Sequence, residues 1–225
     1  MVENIPIEPD LTNISEGKMI YFWTYISRLI GAFFSLLKGV YYMTSKLLHI
    51  RDIIFIALIA VMFGGIYILS NQLYNALVFL GPLANDICMG LWCMAGPLAG
   101  FVVKLPGTSF LGELLSAAAE GLFGGQWGIS TLISGIVQGI GSELGFAAFI
   151  YRKYNIFTLI VSATINTFIT FGWDFMKNGY NKLPLNTNLL CLGVRWISMI
   201  VFCTIIVNSI VKLLDKAHVL TKYNH

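Results

Sequence analysis

The sequence predicts an all-α integral membrane protein with six transmembrane helices. Hydrophobic residues make up 57% of the 225 residues, charged residues make up only 11%, and the mean hydropathy is +0.77. About one quarter of the residues in soluble domains are charged, so this composition is unusual for a soluble domain. The apolar residues are gathered into stretches of roughly the 20 residues that a helix needs to cross a bilayer. We therefore expect a chain that crosses the membrane several times.

Residues 1–50 precede the first clear span, and we expect them to form a polar tail followed by an amphipathic helix. Residues 20–42 are rich in aromatic side chains but contain Arg28 and Lys38. This cationic, amphipathic pattern favours a helix at the cytoplasmic interface over a seventh span. A cleavable signal peptide is not predicted, because the residues before this segment are acidic.

Six predicted spans form a membrane domain over residues 51–215, and residues 216–225 form a cytoplasmic tail. Span one is followed by a short helix over residues 71–80, a possible lid. Gly81-Pro82 ends this short helix, because proline lacks a backbone donor. The spans cover residues 53–69, 87–103, 109–123, 129–151, 156–175 and 189–211.

Basic residues at the ends of the spans predict the orientation. If span one starts in the cytoplasm, the inner flanks hold eight Lys and Arg residues and the outer flanks hold two, Lys177 and Lys182. The positive-inside rule then places both termini in the cytoplasm. Trp127, Trp173 and Tyr180 fall at the outer interface, where aromatic residues are enriched.

Ionisable side chains inside the spans are the candidate functional residues, because each costs about 2.5–3.5 kcal/mol to insert. Acids outnumber bases, which predicts compensation by a cationic ligand, by protons or by partners. Three acids stand at outer ends of spans, and the other two lie deeper. The set comprises Asp86, Glu113, Glu120, Glu143, Asp174 and Arg195.

The depth of each acid suggests its role. Glu120 lies beside Gln126 and Trp127 at a predicted outer mouth, which favours ligand contact. The deeper Glu113 and Glu143 favour a structural or proton network, hydrogen-bonded to each other or to backbone groups. Arg195 is placed in the same network.

Two further side chains, Gln138 and Trp92, each have two possible roles. Gln138 lies in the middle of a span, where its amide suits an aminopyrimidine or amide ligand but would equally join two helices. Trp92 would stack on an aromatic ring or fill the core. Tyr74 and Asn75 on the short helix would cover the mouth of a cavity.

Small residues at four-residue spacing predict close helix packing. Span four carries Gly135 with Gly139 and Gly141 with Gly145, which we interpret as internal packing. Span one carries three small residues on which an external protein partner would dock: Ala57, Ala60 and Gly64.

Several classes of function are not expected. The net charge of +3 is modest and does not indicate a nucleic-acid surface. The cysteines lack CxxC spacing and lie in apolar stretches, so we expect buried thiols rather than metal ligands or disulfides: Cys88, Cys93, Cys191 and Cys203. The three histidines lie outside the spans, which argues against a catalytic triad or a zinc site: His49, His218 and His225. No cofactor is expected.

Three runs within residues 81–155 carry a family resemblance: GPLANDICMGLW, LGELLSAAAEGLFGGQWG and GIVQGIGSELGFAAFIYRKYN. They resemble the S components of energy-coupling factor (ECF) transporters, most closely the YkoE type, which is associated with thiamine or its hydroxymethylpyrimidine moiety. The resemblance extends over residues 53–211. The residues at matching positions are Glu113, Glu120, Gln138 and Glu143, and later Trp173, Asp174, Gly179 and Tyr180.

The resemblance implies a six-helix bundle with a vitamin pocket near the extracellular face, capped by the loop after helix one. It also implies a complex with a transmembrane T component, which helix one meets through Ala57, Ala60 and Gly64, and with two ATPase domains. The chain lacks GxxxxGK[ST], so it is expected to be a transporter subunit rather than an enzyme. The candidate substrate-binding residues are Asp86, Trp92, Glu120, Trp127, Gln138, Asp174 and Tyr180.

Three alternatives stay open from the sequence. One is an S component for a different vitamin. Another is a proton-coupled carrier that works alone, with Glu120 and Glu143 as proton sites. The third is an intramembrane enzyme that uses Glu113 and Glu143 as an acid–base pair.

Overall fold

A computed structural model describes residues 48–218 of the chain. Within these residues the secondary structure is helical and contains no β-strand, so the predicted all-α fold class is confirmed. The predicted interfacial helix before residue 48 and the end of the predicted tail lie outside the described residues. The helices are α1 (Ile50–Leu77), α2 (Pro82–Trp92), α3 (Ala95–Val103), α4 (Thr108–Leu122), α5 (Ile129–Ala147), α6 (Ile156–Lys177), α7 (Leu185–Met199) and α8 (Val207–Lys216).

Four helical stretches of the described chain are long and apolar enough to cross a membrane: Ile50–Leu80, Pro82–Val103, Ile156–Lys177 and Leu185–Lys216. The chain is therefore a multi-pass membrane protein. Helix α4 is only 15 residues long, which at 1.5 Å per residue gives about 22 Å, less than the roughly 30 Å of a bilayer core. The count of six spans stays a prediction.

Helix α1 is longer than predicted. The expected separate helix over residues 71–80 is wrong, because α1 continues without a break to Leu77 and ends in a 3-10 turn, Val78–Leu80. Asn71, the first residue of the expected separate helix, lies on the buried face of α1 and bonds to Glu120 of α4. Gly81 ends this segment as predicted, with a positive φ of 63°.

The second predicted span is two helices rather than one. Helix α2 begins at Pro82, earlier than expected, and the chain breaks at Cys93–Met94 before α3 begins. The cause is Pro97, which has no N–H to donate to the carbonyl four residues before it, that of Cys93. That carbonyl accepts instead from the Cys203 thiol at 3.3 Å.

The paired glycines of α5 pack against two neighbouring helices, and the prediction of tight internal packing is confirmed. Gly135 and Gly139 face α4, whereas Gly141 and Gly145 face α6. A Cβ at any of these four positions would meet atoms of the facing helix at less than ordinary contact distance. Glycine therefore sets how closely α4 and α6 approach α5.

The small residues of α1 pack mainly inside the chain. Ala60 and Gly64 are buried, and a Cβ at Gly64 would lie 2.7 Å from the Cβ of Ala119 on α4. The prediction that these two residues form an external docking face is therefore wrong. Ala57 is exposed.

The last span is a single helical stretch in which α7 and α8 are joined by a π-helical segment, Ile200–Ile206. The core between these helices and the earlier ones is apolar, and the four cysteines are buried within the bundle, as predicted. The largest buried apolar side chains include Tyr67, Phe146, Leu159 and Met199.

Candidate ligand-binding cavity

A cavity of about 680 Å³ lies at one end of the bundle. Its wall comes from the C-terminal parts of α1, α4 and α6, from α2 along its whole length, from the N-terminal half of α5, and from the segment that follows α6. The volume lies within the roughly 300–1,000 Å³ that is usual for small-molecule sites. Six of the predicted substrate-binding residues line it: Trp92, Glu120, Trp127, Gln138, Asp174 and Tyr180.

Glu120 supplies a carboxylate to the cavity wall. Its Oε1 accepts a hydrogen bond from Asn71 Nδ2 at 2.7 Å, and Asn71 Oδ1 accepts one from Trp127 Nε1 at 3.3 Å. This chain of bonds fixes the orientation of Glu120 between α1 and the start of α5. Within residues 48–218 the carboxylate has no ion-pair partner. It is therefore an available negative charge in a partly enclosed site.

Three aromatic rings form a row along the wall. The Tyr74 ring centroid lies 5.6 Å from that of Trp92 and 5.5 Å from that of Trp127. Tyr74 is three residues after Asn71 on α1, so both side chains point to the same side of that helix. Asn75 Nδ2 bonds Gln126 Oε1 at 2.8 Å and ties the end of α1 to the α4–α5 loop. The result is an aromatic wall next to a carboxylate.

Helix α5 contributes a stripe of uncharged polar side chains. Thr131, Ser134 and Gln138 follow at three- and four-residue spacing, and all three line the cavity. Gln138 Nε2 donates to the Met89 sulfur at 3.7 Å, which is a weak acceptor. Sequence reasoning found Gln138 but missed Thr131 and Ser134, although their helical spacing from Gln138 was the available signal.

Asp174 lines the cavity but its carboxylate is already engaged. Oδ2 accepts from Asn85 Nδ2 at 2.9 Å and pairs with Arg195, and Oδ1 accepts from Asn178 Nδ2 at 2.6 Å. Its charge is therefore paired within the protein, with a guanidinium that Asp86 shares. Asn85, which the sequence interpretation did not single out, also lines the cavity.

Asp86 does not line the cavity. Its side chain is fully buried, and Oδ1 accepts from Arg195 Nε at 2.6 Å. Tyr180 donates its hydroxyl to Asp86 Oδ2 at 3.2 Å, and burial followed by the Asp86 charge raises the pKa of that phenol. This position favours a structural role for Asp86 rather than ligand contact. Arg195 thus joins α7 to both α2 and α6.

The deeper carboxylates each cap the start of a helix. Glu113 accepts from Tyr67 Oη and from Gly96 N, both at 2.7 Å, at the beginning of α3. Glu143 accepts from Gly107 N at 2.6 Å and Phe110 N at 3.1 Å, at the beginning of α4. Free N–H groups at helix starts need acceptors, and a negative charge there is favourable.

Neither Glu113 nor Glu143 is positioned to exchange a proton with a ligand in the cavity. Their hydrogen-bond partners differ, since Glu143 is completed by Tyr151 Oη at 2.8 Å and Glu113 by Tyr67. Neither residue lines the cavity. Their geometry gives no support to an acid–base pair of Glu113 with Glu143, or to a proton route from Glu120 to Glu143. Among residues 48–218, no group of three or more His, Cys, Asp or Glu side chains could hold a metal ion.

Comparison with known proteins identifies the family. The family of permease components of ABC-type cobalt transport systems matches residues 51–169, more than half of the chain. The chain belongs to this family. A relative, the putative HMP/thiamine permease protein YkoE of Bacillus subtilis (strain 168), is 27% identical over 150 residues, which are 66% of this chain and 75% of the relative.

A solved structure agrees in fold. The crystal structure of an S-component of an ECF transporter matches with a TM-score of 0.75 at 25% sequence identity, over 78% of this chain and 89% of that one. With the family and the relative, this match shows that the chain is an ECF S component of the YkoE type. The predicted resemblance is confirmed.

Proposed function

We propose that this S component is the substrate-binding subunit of an ATP-driven vitamin importer and that its cavity captures thiamine or its hydroxymethylpyrimidine moiety. The observation that carries the proposal is the Glu120 carboxylate beside the aromatic row of Tyr74, Trp92 and Trp127. Thiamine joins a permanently positive thiazolium to a flat aminopyrimidine. A carboxylate and aromatic faces are the groups that attract such a cation.

The charge balance of the cavity supports a cation. Glu120 has no ion-pair partner in the described residues, whereas Asp174 is paired with Arg195, which it shares with Asp86. Lys177 also lines the cavity, but it is exposed at the rim. Removal of solvent by a bound ligand strengthens the attraction to Glu120, since the energy of a charge pair rises as the effective dielectric constant falls. The relative from Bacillus subtilis, a putative HMP/thiamine permease protein, is consistent with this cargo.

The energy source is proposed to lie in partner proteins. The chain has no GxxxxGK[ST] motif, which ATP hydrolysis by a P-loop would need. An S component is therefore expected to join a transmembrane T component and two ATPase domains. Exposed apolar residues on the outer face of α1, such as Leu58, Val61 and Met62 beside Ala57, offer a surface for lipid or for the T component.

We propose that the cavity opens to the extracellular side and that both termini are cytoplasmic. Lys104, Arg152 and Lys153 lie at the opposite end of the helices from the cavity. Arg51 lies in the first turn of α1, at that same end. Among residues 48–218, the exposed basic side chains at the cavity end are Lys177 and Lys182. This asymmetry follows the positive-inside rule.

The proposal is tested by titrating detergent-purified protein with thiamine and with hydroxymethylpyrimidine while recording tryptophan fluorescence. Trp92, Trp127 and Trp173 line the cavity, so occupancy should change their emission. We expect saturable quenching by thiamine. In Glu120→Gln the affinity for thiamine should fall at least about tenfold, since two unit charges about 4 Å apart attract by about 4 kcal/mol at an effective dielectric constant of about 20, and about 1.4 kcal/mol is a factor of ten.

Asp215→Asn is the matched control, because it removes a carboxylate that is exposed and remote from the cavity. It should bind thiamine as the wild type does. A folded wild-type protein that responds to neither compound contradicts the proposed cargo. Quenching that is equal in wild type and Glu120→Gln contradicts the assigned role of Glu120.

A further inference from the structure

A cluster of three charged side chains is buried beside the cavity: Asp86 of α2, Asp174 of α6 and Arg195 of α7. We call it the charge cluster. Arg195 Nη2 lies 2.5 Å from Asp86 Oδ1 and 2.5 Å from Asp174 Oδ2, so both carboxylates share one guanidinium. Asp174 lines the cavity, whereas Asp86 and Arg195 do not. The cluster therefore borders the cavity through Asp174.

The hydrogen bonds of the charge cluster are those of two ionised carboxylates. Asp174 accepts from Asn85 Nδ2 at 2.9 Å and from Asn178 Nδ2 at 2.6 Å, in addition to Arg195. Asp86 Oδ1 accepts from both Nε and Nη2 of Arg195. These amide and guanidinium groups can only donate, whereas a protonated carboxyl group would itself need an acceptor. Two negative charges against one positive charge leave one negative charge in excess.

This excess charge is not cancelled by another side chain of residues 48–218. Lys177 is the basic side chain that lines the cavity, but it is exposed and forms no ion pair with Asp86 or Asp174. The side chains of the charge cluster are at most 4% exposed, so dissolved ions scarcely reach them. Buried charges are screened much less than exposed ones. The excess negative charge therefore acts on the cavity that Asp174 borders.

We propose that Asp86 is a specificity-determining residue that raises the preference of the cavity for a cation without touching the ligand. Because Arg195 is shared between two carboxylates, it does not cancel the charge of Asp174, and Asp86 is the residue that creates the excess. The inference rests on the proposed function. It adds a second source of negative charge on α6 to the Glu120 carboxylate on α4.

The test is isothermal titration of purified full-length Asp86→Asn with thiamine and with hydroxymethylpyrimidine. The substitution keeps the size of the side chain and leaves Arg195 in a one-to-one pair with Asp174, so the excess charge is removed. We expect the affinity for thiamine to fall about 3- to 10-fold, the effect of one unit charge that acts over about 10 Å at an intermediate dielectric constant. The affinity for hydroxymethylpyrimidine, which is uncharged in mildly alkaline buffer, should be unchanged.

A double variant, Asp86→Asn with Arg195→Gln, separates the effect of charge from the effect of the contacts between helices. It removes one negative and one positive charge, so the charge cluster again has one negative charge, now on Asp174. The affinity for thiamine should therefore recover toward the wild-type value, although the ion pairs that join α7 to α2 and α6 are lost. A purely structural role of Asp86 predicts a further loss instead.

Asp52→Asn is the matched control, because Asp52 is also a buried carboxylate but lies in the first turn of α1 and does not line the cavity. It should bind both compounds as the wild type does. If Asp86→Asn binds thiamine as tightly as the wild type, or weakens both compounds equally, the charge role of Asp86 is refuted while thiamine binding stands. If the folded wild type binds neither compound, the proposed function falls and this inference falls with it.

Discussion

The side chain of Glu113 occupies the point where Pro97 interrupts the helical hydrogen bonds between α2 and α3. The first N–H groups of α3 are left without helical partners, and the protein supplies two. Tyr67 Oη accepts from Ala95 N at 3.2 Å and donates to Glu113, which also accepts from Gly96 N. A costly buried carboxylate is thereby used to stabilise a helix start rather than to bind a ligand.

This role predicts a stability defect in Glu113→Gln. The amide has one acceptor oxygen where the carboxylate has two, so one of its two donors loses its partner. We expect destabilisation of about 1–3 kcal/mol. Tyr67→Phe should have a similar effect, and the double variant should lose less than the sum, because both changes act on one network.

The measurement is the apparent melting temperature in detergent, with the exposed Asp215→Asn as control. A melting temperature of Glu113→Gln equal to that of the wild type would argue against the capping role. If the stability losses of the two substitutions were fully additive, Tyr67 and Glu113 would stabilise the protein independently and not as one network.

At the level of helices, the packing of α5 depends on the absence of side chains. Gly145 lies so close to Ser162 of α6 that a Cβ would meet its backbone and side chain. Gly145→Ala should therefore push the helices apart, at a cost of about 1–3 kcal/mol for overpacking. Thermal unfolding of the purified protein measures the loss.

Gly172→Ala on α6 is the control for the same substitution in a helix, because a Cβ there meets nothing within 4 Å. It should leave stability unchanged or raise it slightly, since alanine favours helix over glycine by about 0.5–1 kcal/mol. Equal melting of both variants would mean that close approach at Gly145 contributes little to stability.

The helices also show which sequence signals were informative. Glycines at four-residue spacing predicted the packing of α5 because the pattern is local. The continuation of α1 to Leu77 was not predicted, and the partner of Asn71 in the bundle, Glu120, is distant in sequence. Pro97 was the available signal for the break between α2 and α3, but it was not used, and the hydropathy pattern was interpreted as one span. The π segment Ile200–Ile206 has no local signal that we can identify.

The cavity, which forms only in the whole molecule, was partly foreseen. Charged or aromatic residues at the outer ends of predicted spans indicated Glu120 and Trp127, since such ends meet at one side of a bundle. The role of Asp86 was not foreseen, because its partner Arg195 is 109 residues away. Asn71 was missed because it was assigned to a separate short helix.

The proposed orientation of the whole molecule predicts the labelling of introduced cysteines in intact cells. Lys182 and Lys153 are both exposed and lie at opposite ends of the bundle, while the four native cysteines are buried. A membrane-impermeant maleimide should label Lys182→Cys but not Lys153→Cys. Both should react after the membrane is permeabilised. The reverse pattern in intact cells would invert the proposed topology.

The most direct test of the central claim is equilibrium dialysis of labelled thiamine against purified wild-type protein and Glu120→Gln. A cation site at Glu120 predicts one saturable site per wild-type chain, competed by unlabelled thiamine, with an affinity at least about tenfold weaker in the variant. Absence of saturable binding to a folded wild-type protein would contradict the claim. Equal affinity in the two proteins would contradict it as well, by removing Glu120 from the site.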